Sequence, residues 1–294
     1  YKRGHEYLDA VKGLWDGWAA DAIVDDRASG QYAKKDRIRP VNHSGEFYHV
    51  KGPLNLPRSP QGRPVLVQAG SSEAGREFDA RHPEAIYTAQ LERETASEFY
   101  ADIKQRASRL GRDPSQILVL PGLSPLIAST DAEADRMARE MGELTDPEVG
   151  RKRLSGRFGG FDFSHLPLDK PLRVEDFPDP ETVEAARSRT EMVINMVRKE
   201  GLTLREVLVR LAGARGHYTF TGTPERVADL MEDWFVNRAA DGFNVMPPLL
   251  PVGIETFIEQ VVPILRKRGL FRETYEGKTL RSHYGLSEPQ SQFD

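Results

Sequence analysis

A short turn rich in small and hydroxyl-bearing residues is the strongest candidate for chemistry in this chain. Residues 69–72 (AGSS) follow the apolar run 65–67 and precede a stretch that begins at Glu73 and is typical of a helix. The unpaired N–H groups of a helix's first turn carry partial positive charge, and serine hydroxyls add donors, so this turn suits a phosphate group. The same residues also suit an ordinary helix cap provided by Ser72, and taken alone they leave both interpretations open.

Other residue types predict little chemistry of their own. The chain has no cysteine, which excludes disulfides, thiolate metal sites and cysteine nucleophiles. Its seven histidines are scattered, and His43 and His49 lie near Glu46 without an evident third ligand, so we interpret them as surface residues and predict no metal site. The net charge of −4, without a basic stripe, predicts no nucleic-acid partner. No apolar stretch approaches the roughly 20 residues that span a bilayer, so we expect a cytoplasmic protein without membrane association.

Alternating strands and helices are predicted to position the turn. We predict helices at 1–18, 73–81, 93–110, 131–144, from 224 and at 254–268, and strands at 64–69, 85–89, 117–120 and 242–248. Such alternation indicates βαβ units and a parallel sheet, whose ligands bind at the carboxyl ends of the strands. Gln68, Gln90 and residues near Met246 lie at the ends of predicted strands, so we expect them to line the mouth of the site.

Two stretches, at about 21–63 and 145–220, interrupt the alternation and are predicted to be insertions. The second contains predicted helices at 181–200 and 203–213, and before them a loop rich in glycine, proline and phenylalanine at 156–172. Within this loop, residues 159–163 (GGFDF) are either pinned by their two phenylalanines, the interpretation we favour, or a mobile lid.

Three collinear parts of the chain closely resemble one enzyme family. They are 1–18 (YKRGHEYLDAVKGLWDGW), 43–90 with the block GPLNLPRSPQGRPVLVQAGSS, and 222–272, which begins GTPERVADLMEDWF. The block in the second part is far more specific than a generic glycine-rich turn. The family is that of the nitrilotriacetate and dibenzothiophene-sulfone monooxygenases, a branch of the bacterial-luciferase-like flavin monooxygenases.

The resemblance implies a fold, a reaction and a set of site residues. It implies a single domain at 1–294, an α/β protein with a TIM-type (β/α)₈ barrel and insertions. Reduced FMN from a separate NAD(P)H:flavin reductase would act with O₂ on a small organic substrate. Ser72 corresponds to a serine that contacts the FMN phosphate, Ser71 is the adjacent and more variable position, and Tyr1 corresponds to a tyrosine that contacts flavin. Catalytic residues stay unassigned, and the oligomeric state, a homo-oligomer included, stays open.

The resemblance also leaves alternatives for the chain as a whole. Family members carry a long segment before the position of Tyr1, and that segment supplies the first barrel strands. About four predicted strands account only for the C-terminal part of such a barrel. We therefore expect either the C-terminal part of a flavin monooxygenase or a truncated, non-catalytic piece that acts in binding or assembly. A weaker alternative is a luciferase-like protein that uses a deazaflavin.

Overall fold

The structure, a computed structural model, describes residues 1–183, 187–214, 217–289 and 293 of the 294-residue chain. The strands are β1 (Ile23–Asp26), β2 (Gln31–Ala33), β3 (His43–Ser44), β4 (His49–Val50), β5 (Val67–Ala69), β6 (Ala85–Thr88), β7 (Leu118–Ile127), β8 (Tyr218–Gly222) and β9 (Asn244–Val245). The helices are α1 (Lys2–Trp15), α2 (Glu73–Arg81), α3 (Arg93–Arg109), α4 (Asp131–Glu143), α5 (Pro147–Arg157), α6 (Arg187–Glu200), α7 (Leu204–Ala214), α8 (Pro224–Val236), α9 (Val252–Thr256), α10 (Val262–Lys267) and α11 (Leu280–His283). A π-helical turn at Phe257–Val261 joins α9 to α10. None of the described helices is both long enough and apolar enough to cross a membrane.

The central sheet is parallel throughout, as the alternation of elements predicts. β5, β6, β7 and β8 lie side by side in that order, and β9 pairs with β7. Ala69 of β5 is the register partner of Tyr87 in β6, which is in turn the partner of Leu120 in β7. These three side chains therefore share one face of the sheet. Because all five strands point the same way, the turn after β5 lies at the carboxyl edge.

The third predicted strand, 117–120, is much longer in the structure. β7 continues through Pro121 and Pro125 to Ile127, although proline lacks the N–H that a strand interior normally donates. β9 pairs only with two residues that lie between the prolines. At each proline, therefore, one edge of β7 has no strand partner among the described residues. A missing N–H on that edge breaks no hydrogen bond between strands. The fourth predicted strand, 242–248, shrinks to β9.

The two faces of the sheet have different surroundings. Ile86 and Val119 are register partners and are fully buried against α3, which defines a helical face. The opposite face, which we call the inner face, carries Ala69 and Tyr87. It is open along β5, where Val67 is 63% exposed. The inner face can therefore receive a ligand at the carboxyl edge.

The second insertion forms a helical layer with a core of its own. Phe158, Phe163 and Phe177 lie in the cluster that α5, α6 and α7 enclose, with ring centroids 5.3 to 5.7 Å apart. Phe163 is 1% exposed, so the phenylalanine-rich loop is pinned and the favoured interpretation is confirmed. Leu91, just past β6, packs against the same cluster and attaches this layer to the carboxyl edge of the sheet.

The sequence pattern does not reveal α5. Leu154 is the one apolar side chain of this helix that is buried, so there is no amphipathic stripe to recognise. The helix is defined instead by its start. The carboxylate of Asp146 accepts hydrogen bonds from the N–H groups of Glu148 and Val149, and Pro147 takes the first helical position.

The next predicted helix, at 181–200, starts later than the pattern suggests. A 3₁₀ turn at Pro180–Thr182, capped by Asp179, comes first, and α6 begins at Arg187. Residues 184–186 of the predicted helix lie outside the described part of the chain.

The first insertion contains two antiparallel hairpins, β1 with β2 and β3 with β4. The interpretation of both hairpin histidines as surface residues is right for His49, which is exposed. It is wrong for His43, whose side chain is 18% exposed and lies 3.2 Å from the Glu6 carboxylate of α1. The contact with Glu6 holds the His43 side chain against α1.

The opening helix ends three residues earlier than the predicted residue 18. Just past its end, the Asp16 carboxylate accepts hydrogen bonds from Arg58 at 3.0 Å and from Arg63 at 2.9 Å. The Trp18 indole N–H donates to the Leu54 carbonyl at 2.7 Å. These bonds to the first insertion are long-range in sequence, so helical periodicity alone cannot anticipate them.

Candidate functional site

The turn after β5 is a helix cap, as one of the two interpretations predicts. Ser72 lies at the N-cap of α2, and its Oγ accepts a hydrogen bond from the Gly75 N–H at 3.2 Å. The Ser71 carbonyl accepts a hydrogen bond from Arg76 Nε at 3.0 Å, which fixes the turn from the other side. The N-terminus of α2 therefore faces the carboxyl edge of the sheet, where its N–H groups can bind an anion.

Tyr1 reaches the same turn from the start of α1. The tyrosine is 53% exposed, and its ring centroid lies 5.6 Å from that of Phe78 in α2. A Cβ added to Gly75 would lie 3.0 Å from the Tyr1 hydroxyl oxygen and 3.1 Å from Ser72 Oγ. The structure thus brings Tyr1 and Ser72 together around a position that only glycine leaves open, with half-buried Ser71 beside them.

Gly75 is a residue of this site that the sequence interpretation does not single out. Glycine inside a helix is destabilising by roughly 0.5–1 kcal/mol relative to alanine, because it loses more conformational freedom on folding. A glycine three residues after a serine cap is the signal that could have pointed to it. The structure supplies the reason for glycine here, which is room for two hydroxyl groups.

The side chains of α1 pack along α2. The His5 ring lies 5.0 Å from that of Phe78 and 4.8 Å from that of His82, and further along α1 Lys12 also contacts His82. Tyr1 contacts Phe78 as well, so residues later in α1 contact residues later in α2. The two helices therefore lie side by side and run in the same direction. The partial positive charge of the α2 N-terminus lies at the turn, which favours an anionic ligand.

A pair of histidines packs between these helices. Burial, helped by the charge of Lys12, lowers the pKa of His82 to about 4, and burial also lowers the pKa values of His5 and Lys12. Lys12 Nζ lies 3.4 Å from His82 Nδ1, so that nitrogen accepts and Nε2 carries the proton. His82 Nε2 then donates to His5 Nδ1, 2.6 Å away. The pair is neutral at pH 7 and joins the two helices that form the site.

A buried carboxyl group lies one helical turn beyond Gly75. Asp79 is 0% exposed, and neither of its carboxylate oxygens has a hydrogen-bond partner among the described residues. Burial raises the pKa of Asp79 to about 7, and the positive charge of Arg76 opposes this rise only in part. Below about pH 7 the group is therefore neutral and places no negative charge beneath the anion-binding turn.

A second group of side chains meets on the inner face next to the turn. The Tyr87 hydroxyl donates to Met246 Sδ at 2.9 Å and lies 2.9 Å from His217 Nε2. The rings of Tyr87 and His217 stack with centroids 4.8 Å apart. His217 is 8% exposed, whereas Tyr87 and Met246 are half-buried. Met246 belongs to the predicted mouth of the site. Tyr87 and His217 were not predicted, because they lie 130 positions apart and only the register of the sheet brings them together.

The other two predicted mouth residues differ in whether they reach the site. Gln68 is the register partner of Ile86, which belongs to the helical face, and its amide donates to the Ala69 carbonyl at 3.2 Å. Gln90 is buried, and its amide donates to Thr88 Oγ1 at 3.1 Å. The strand position of Gln68 turns it away from the inner face, because alternate side chains point to opposite faces. Its amide nevertheless lies at the turn after β5, where a Cβ added to Gly70 would be 3.7 Å from Gln68 Nε2 and 3.6 Å from the Tyr1 hydroxyl oxygen.

Comparison with known families decides what kind of protein carries this geometry. The profile of the luciferase-like monooxygenase family matches residues 1–242. The chain belongs to this family. The resemblance of the sequence to luciferase-like enzymes is thereby confirmed at the level of the family, and the parallel sheet with its capped turn is a part of a luciferase-like fold.

Two curated luciferase-like relatives match nearly the whole chain. N-acetyl-S-(2-succino)cysteine monooxygenase of Bacillus subtilis (strain 168) is 46% identical over 293 residues, which cover 100% of this chain and 66% of that protein. Nitrilotriacetate monooxygenase component A of Aminobacter aminovorans is 42% identical over 291 residues, which cover 99% of this chain and 63% of that protein. The chain thus spans slightly less than two thirds of the length of these relatives.

Solved structures agree with the family assignment. DmoA from Hyphomicrobium sulfonivorans has a TM-score of 0.82 at 29% identity, with 96% of this chain and 58% of that chain covered. Riboflavin lyase (RcaE), solved with modified FMN and its substrate riboflavin, has a TM-score of 0.81 at 32% identity, with 98% of this chain and 62% of that chain covered. The described fold is therefore shared with proteins of the same family along almost all of its length.

Proposed function

We propose that this luciferase-like protein is a monooxygenase that uses reduced FMN and O₂ to oxidise a small organic substrate. The observation that carries the proposal is the space at Gly75, on which the hydroxyls of Tyr1 and Ser72 converge at the N-terminus of α2. Backbone donors, hydroxyls and a positive helix end are what a phosphate monoester needs. The modified FMN in riboflavin lyase supports a flavin in this fold.

The phosphate of FMN would lie at the turn, next to the hydroxyls of Ser72, Ser71 and Tyr1. Ser72 Oγ accepts the Gly75 N–H through a lone pair, so its own proton remains to donate to the phosphate. Capping and binding are therefore compatible at Ser72. Reduced FMN, when bound, supplies the activation of O₂.

The protein's part would be to orient the substrate on the inner face and to exclude water. The inner face begins at the phosphate turn, where Ala69 ends β5, and continues to Tyr87 on the next strand. The helical layer attached through Leu91 stands at the same carboxyl edge. A site enclosed in this way strengthens every polar contact to the substrate and protects reactive species from hydrolysis.

We further propose that the parallel sheet is one arc of a (β/α)₈ barrel in a single domain, with β5, β6, β7 and β9 as its C-terminal strands. On its outer edge β5 has no strand partner among the described residues. The inner face is open at Val67. A closed barrel covers both a free edge and an open inner face, so these two features support the proposal.

A separate NAD(P)H:flavin reductase is the proposed supplier of reduced FMN. The name of the nitrilotriacetate relative, component A, implies a second component. One of the pristinamycin IIA synthase subunits of Streptomyces pristinaespiralis, 42% identical over 290 residues, likewise has a name that implies a second chain.

Oxygen incorporation tests the proposed reaction. The full chain would be mixed under ¹⁸O₂ with NADH, FMN, a flavin reductase and either N-acetyl-S-(2-succino)cysteine or nitrilotriacetate, with catalase present to remove peroxide from uncoupled flavin. We expect an oxidised product that carries ¹⁸O, seen by mass spectrometry, and that forms only when both the chain and one of the substrates are present. No oxidised product together with no FMN binding would contradict the proposal and favour the non-catalytic binding or assembly piece.

A matched pair of glycine variants tests the cofactor site itself. Gly75→Ala places a Cβ against the Tyr1 and Ser72 hydroxyls, and we expect about tenfold weaker FMN binding in a fluorescence titration. Gly156→Ala is the control, since it is also a helical glycine but its added Cβ meets nothing within 4 Å. Equal FMN affinity in the two variants would argue against the turn, and preference for a deazaflavin over FMN would favour that alternative cofactor.

A further inference from the structure

We infer that the Tyr87 hydroxyl is a hydrogen-bond donor to an acceptor oxygen of the substrate, and that His217 is the residue that positions it. This inference rests on the proposed function, because it names the class of substrate that the same site would take. That class consists of small molecules with a carboxylate, carbonyl or sulfonyl oxygen near the reacting atom.

Tyr87 stands where a substrate beside the flavin would lie. It is the register partner of Ala69, the last residue of β5 before the phosphate turn. Neighbouring strands are about 4.8 Å apart, so Tyr87 is one strand away from the residue that leads into the turn. A cofactor whose phosphate lies at the turn and whose ring lies on the inner face would bring its substrate next to this side chain.

The proton of Tyr87 is held by a weak acceptor. A phenol has one proton, and Met246 Sδ lies 2.9 Å from the phenolic oxygen, in position to accept it. We assign to His217 the tautomer in which Nε2 carries the proton, so that Nε2 donates to the same phenolic oxygen, 2.9 Å away. A thioether is a poor acceptor on a flexible side chain, so a substrate oxygen would displace it. The N–H of His217 polarises the phenol and strengthens the new bond.

The backbone of β7 holds the histidine ring in place. A Cβ added to Gly122 would lie 2.5 Å from His217 Nδ1 and 2.9 Å from Met246 Cε. The ring therefore rests directly against the strand at the one residue without a side chain, and it also stacks on Tyr87. A histidine held on two sides has one orientation, which fixes the hydroxyl that it donates to.

Calorimetry with two probes tests the donor role. The full chain, with oxidised FMN present, would be titrated with nitrilotriacetate and with N-acetyl-S-(2-succino)cysteine, both of which carry several carboxylates. We expect Tyr87→Phe to weaken binding of the probe that the chain prefers by at least about tenfold, because a donor to a charged oxygen is lost. Tyr100→Phe is the control, because it removes a hydroxyl that donates to Asp241 Oδ1 at 3.0 Å from α3, on the helical side. It should bind the probe within about twofold of the unsubstituted chain, and both variants should bind FMN normally.

A variant that should strengthen probe binding distinguishes a hydrogen-bond donor from a tyrosine with only a structural role. Met246→Leu conserves volume but removes the competing acceptor, so we expect about two- to threefold tighter binding of the same probe. His217→Gln keeps an N–H donor and should retain more affinity than His217→Leu. In ¹⁵N-histidine spectra, His217 should show a protonated Nε2 at neutral pH, as the hydrogen-bond chain requires.

The outcomes distinguish this inference from the proposed function. Unchanged probe affinity in Tyr87→Phe, weaker binding in Met246→Leu, or no binding of either probe by the unsubstituted chain would each overturn the donor role. Failure of the monooxygenase proposal would appear elsewhere, as absence of FMN binding and of an oxidised product. The calorimetric difference between Tyr87→Phe and Tyr100→Phe would persist in that case.

Discussion

The hydroxyl groups of Tyr1 and Ser72 converge above the first turn of α2, where a Cβ on Gly75 would lie 3.0 Å from one and 3.1 Å from the other. Ser72 belongs to the turn after β5 and Tyr1 to the start of α1, so the convergence depends on the packing of α1 against α2. A serine cap alone is common at helix starts. The second hydroxyl and the glycine between them are what make this cap a candidate anion site.

Two substitutions separate the capping and binding roles of Ser72. Ser72→Ala should weaken FMN binding tenfold to hundredfold, because a bond to a charged group contributes roughly 1.5–3 kcal/mol. It should also cost about 1 kcal/mol of stability through loss of the cap. Ser72→Asp keeps a cap acceptor and should stay stable, but its charge repels a phosphate and should weaken binding further. Fluorescence titration and urea unfolding measure the two effects.

A cap far from the turn provides the control for Ser72. Thr130 caps α4 by accepting the Glu133 N–H at 3.2 Å. Thr130→Ala should lose about 1 kcal/mol of stability and leave FMN affinity unchanged. If Ser72→Ala behaves in the same way as Thr130→Ala, Ser72 is a cap and nothing more.

Asp79 should make the stability of the protein fall as the pH rises from about 4 to about 7. Its pKa is raised from 3.8 to about 7, so in this range the native chain keeps a proton that the unfolded chain has lost. Each pKa unit corresponds to about 1.36 kcal/mol. The gain in stability from Asp79→Asn should therefore be larger at pH 8 than at pH 5, by roughly 2–3 kcal/mol.

Urea unfolding at the two pH values measures this effect. Asp135→Asn, at an exposed position of α4, serves as the control and should show no such dependence on pH. A gain from Asp79→Asn that is equal at pH 5 and pH 8 would mean that the buried carboxyl is ionised throughout.

Phe163 should be essential for the stability of the helical layer. It is 1% exposed and contacts the rings of Phe158 and Phe177, so Phe163→Ala removes a large buried side chain and should cost about 3–5 kcal/mol. Phe235→Ala, at a residue that is 49% exposed, is the control and should cost far less. A thermal transition of Phe163→Ala close to that of the control would favour the discarded lid interpretation.

Periodicity predicted the helices that bury an apolar stripe and missed the one that does not. α3 was predictable because Ala96, Phe99 and Ile103 are buried at helical spacing. α5 buries one apolar side chain and is defined by its cap, a weaker signal in the sequence. The length of β7 depends on β8 and β9, which are distant in the chain, so local residues could not set it.

The two halves of the candidate site also differ in how well the sequence predicts them. Ser72 could be found from sequence because cap, turn and strand end are contiguous. Tyr87 and His217 could not, because their contact depends on the register between β6 and β7 and on where β8 begins. Resemblance to a family marks contiguous motifs well and marks contacts between distant segments poorly.

The open inner face should make this chain self-associate in solution. Val67 is 63% exposed on that face, and β5 has no strand partner on its outer edge among the described residues. An unpaired edge beside exposed apolar side chains favours association.

Val67→Lys places a charge on the inner face and should weaken association at least about tenfold, as measured by size-exclusion chromatography and sedimentation. Val149→Lys, at a position of α5 that is 47% exposed, is the control and should leave association unchanged. If the unsubstituted chain is a monodisperse monomer, the inner face does not mediate self-association. That result would also argue against the proposal that the sheet is one arc of a barrel.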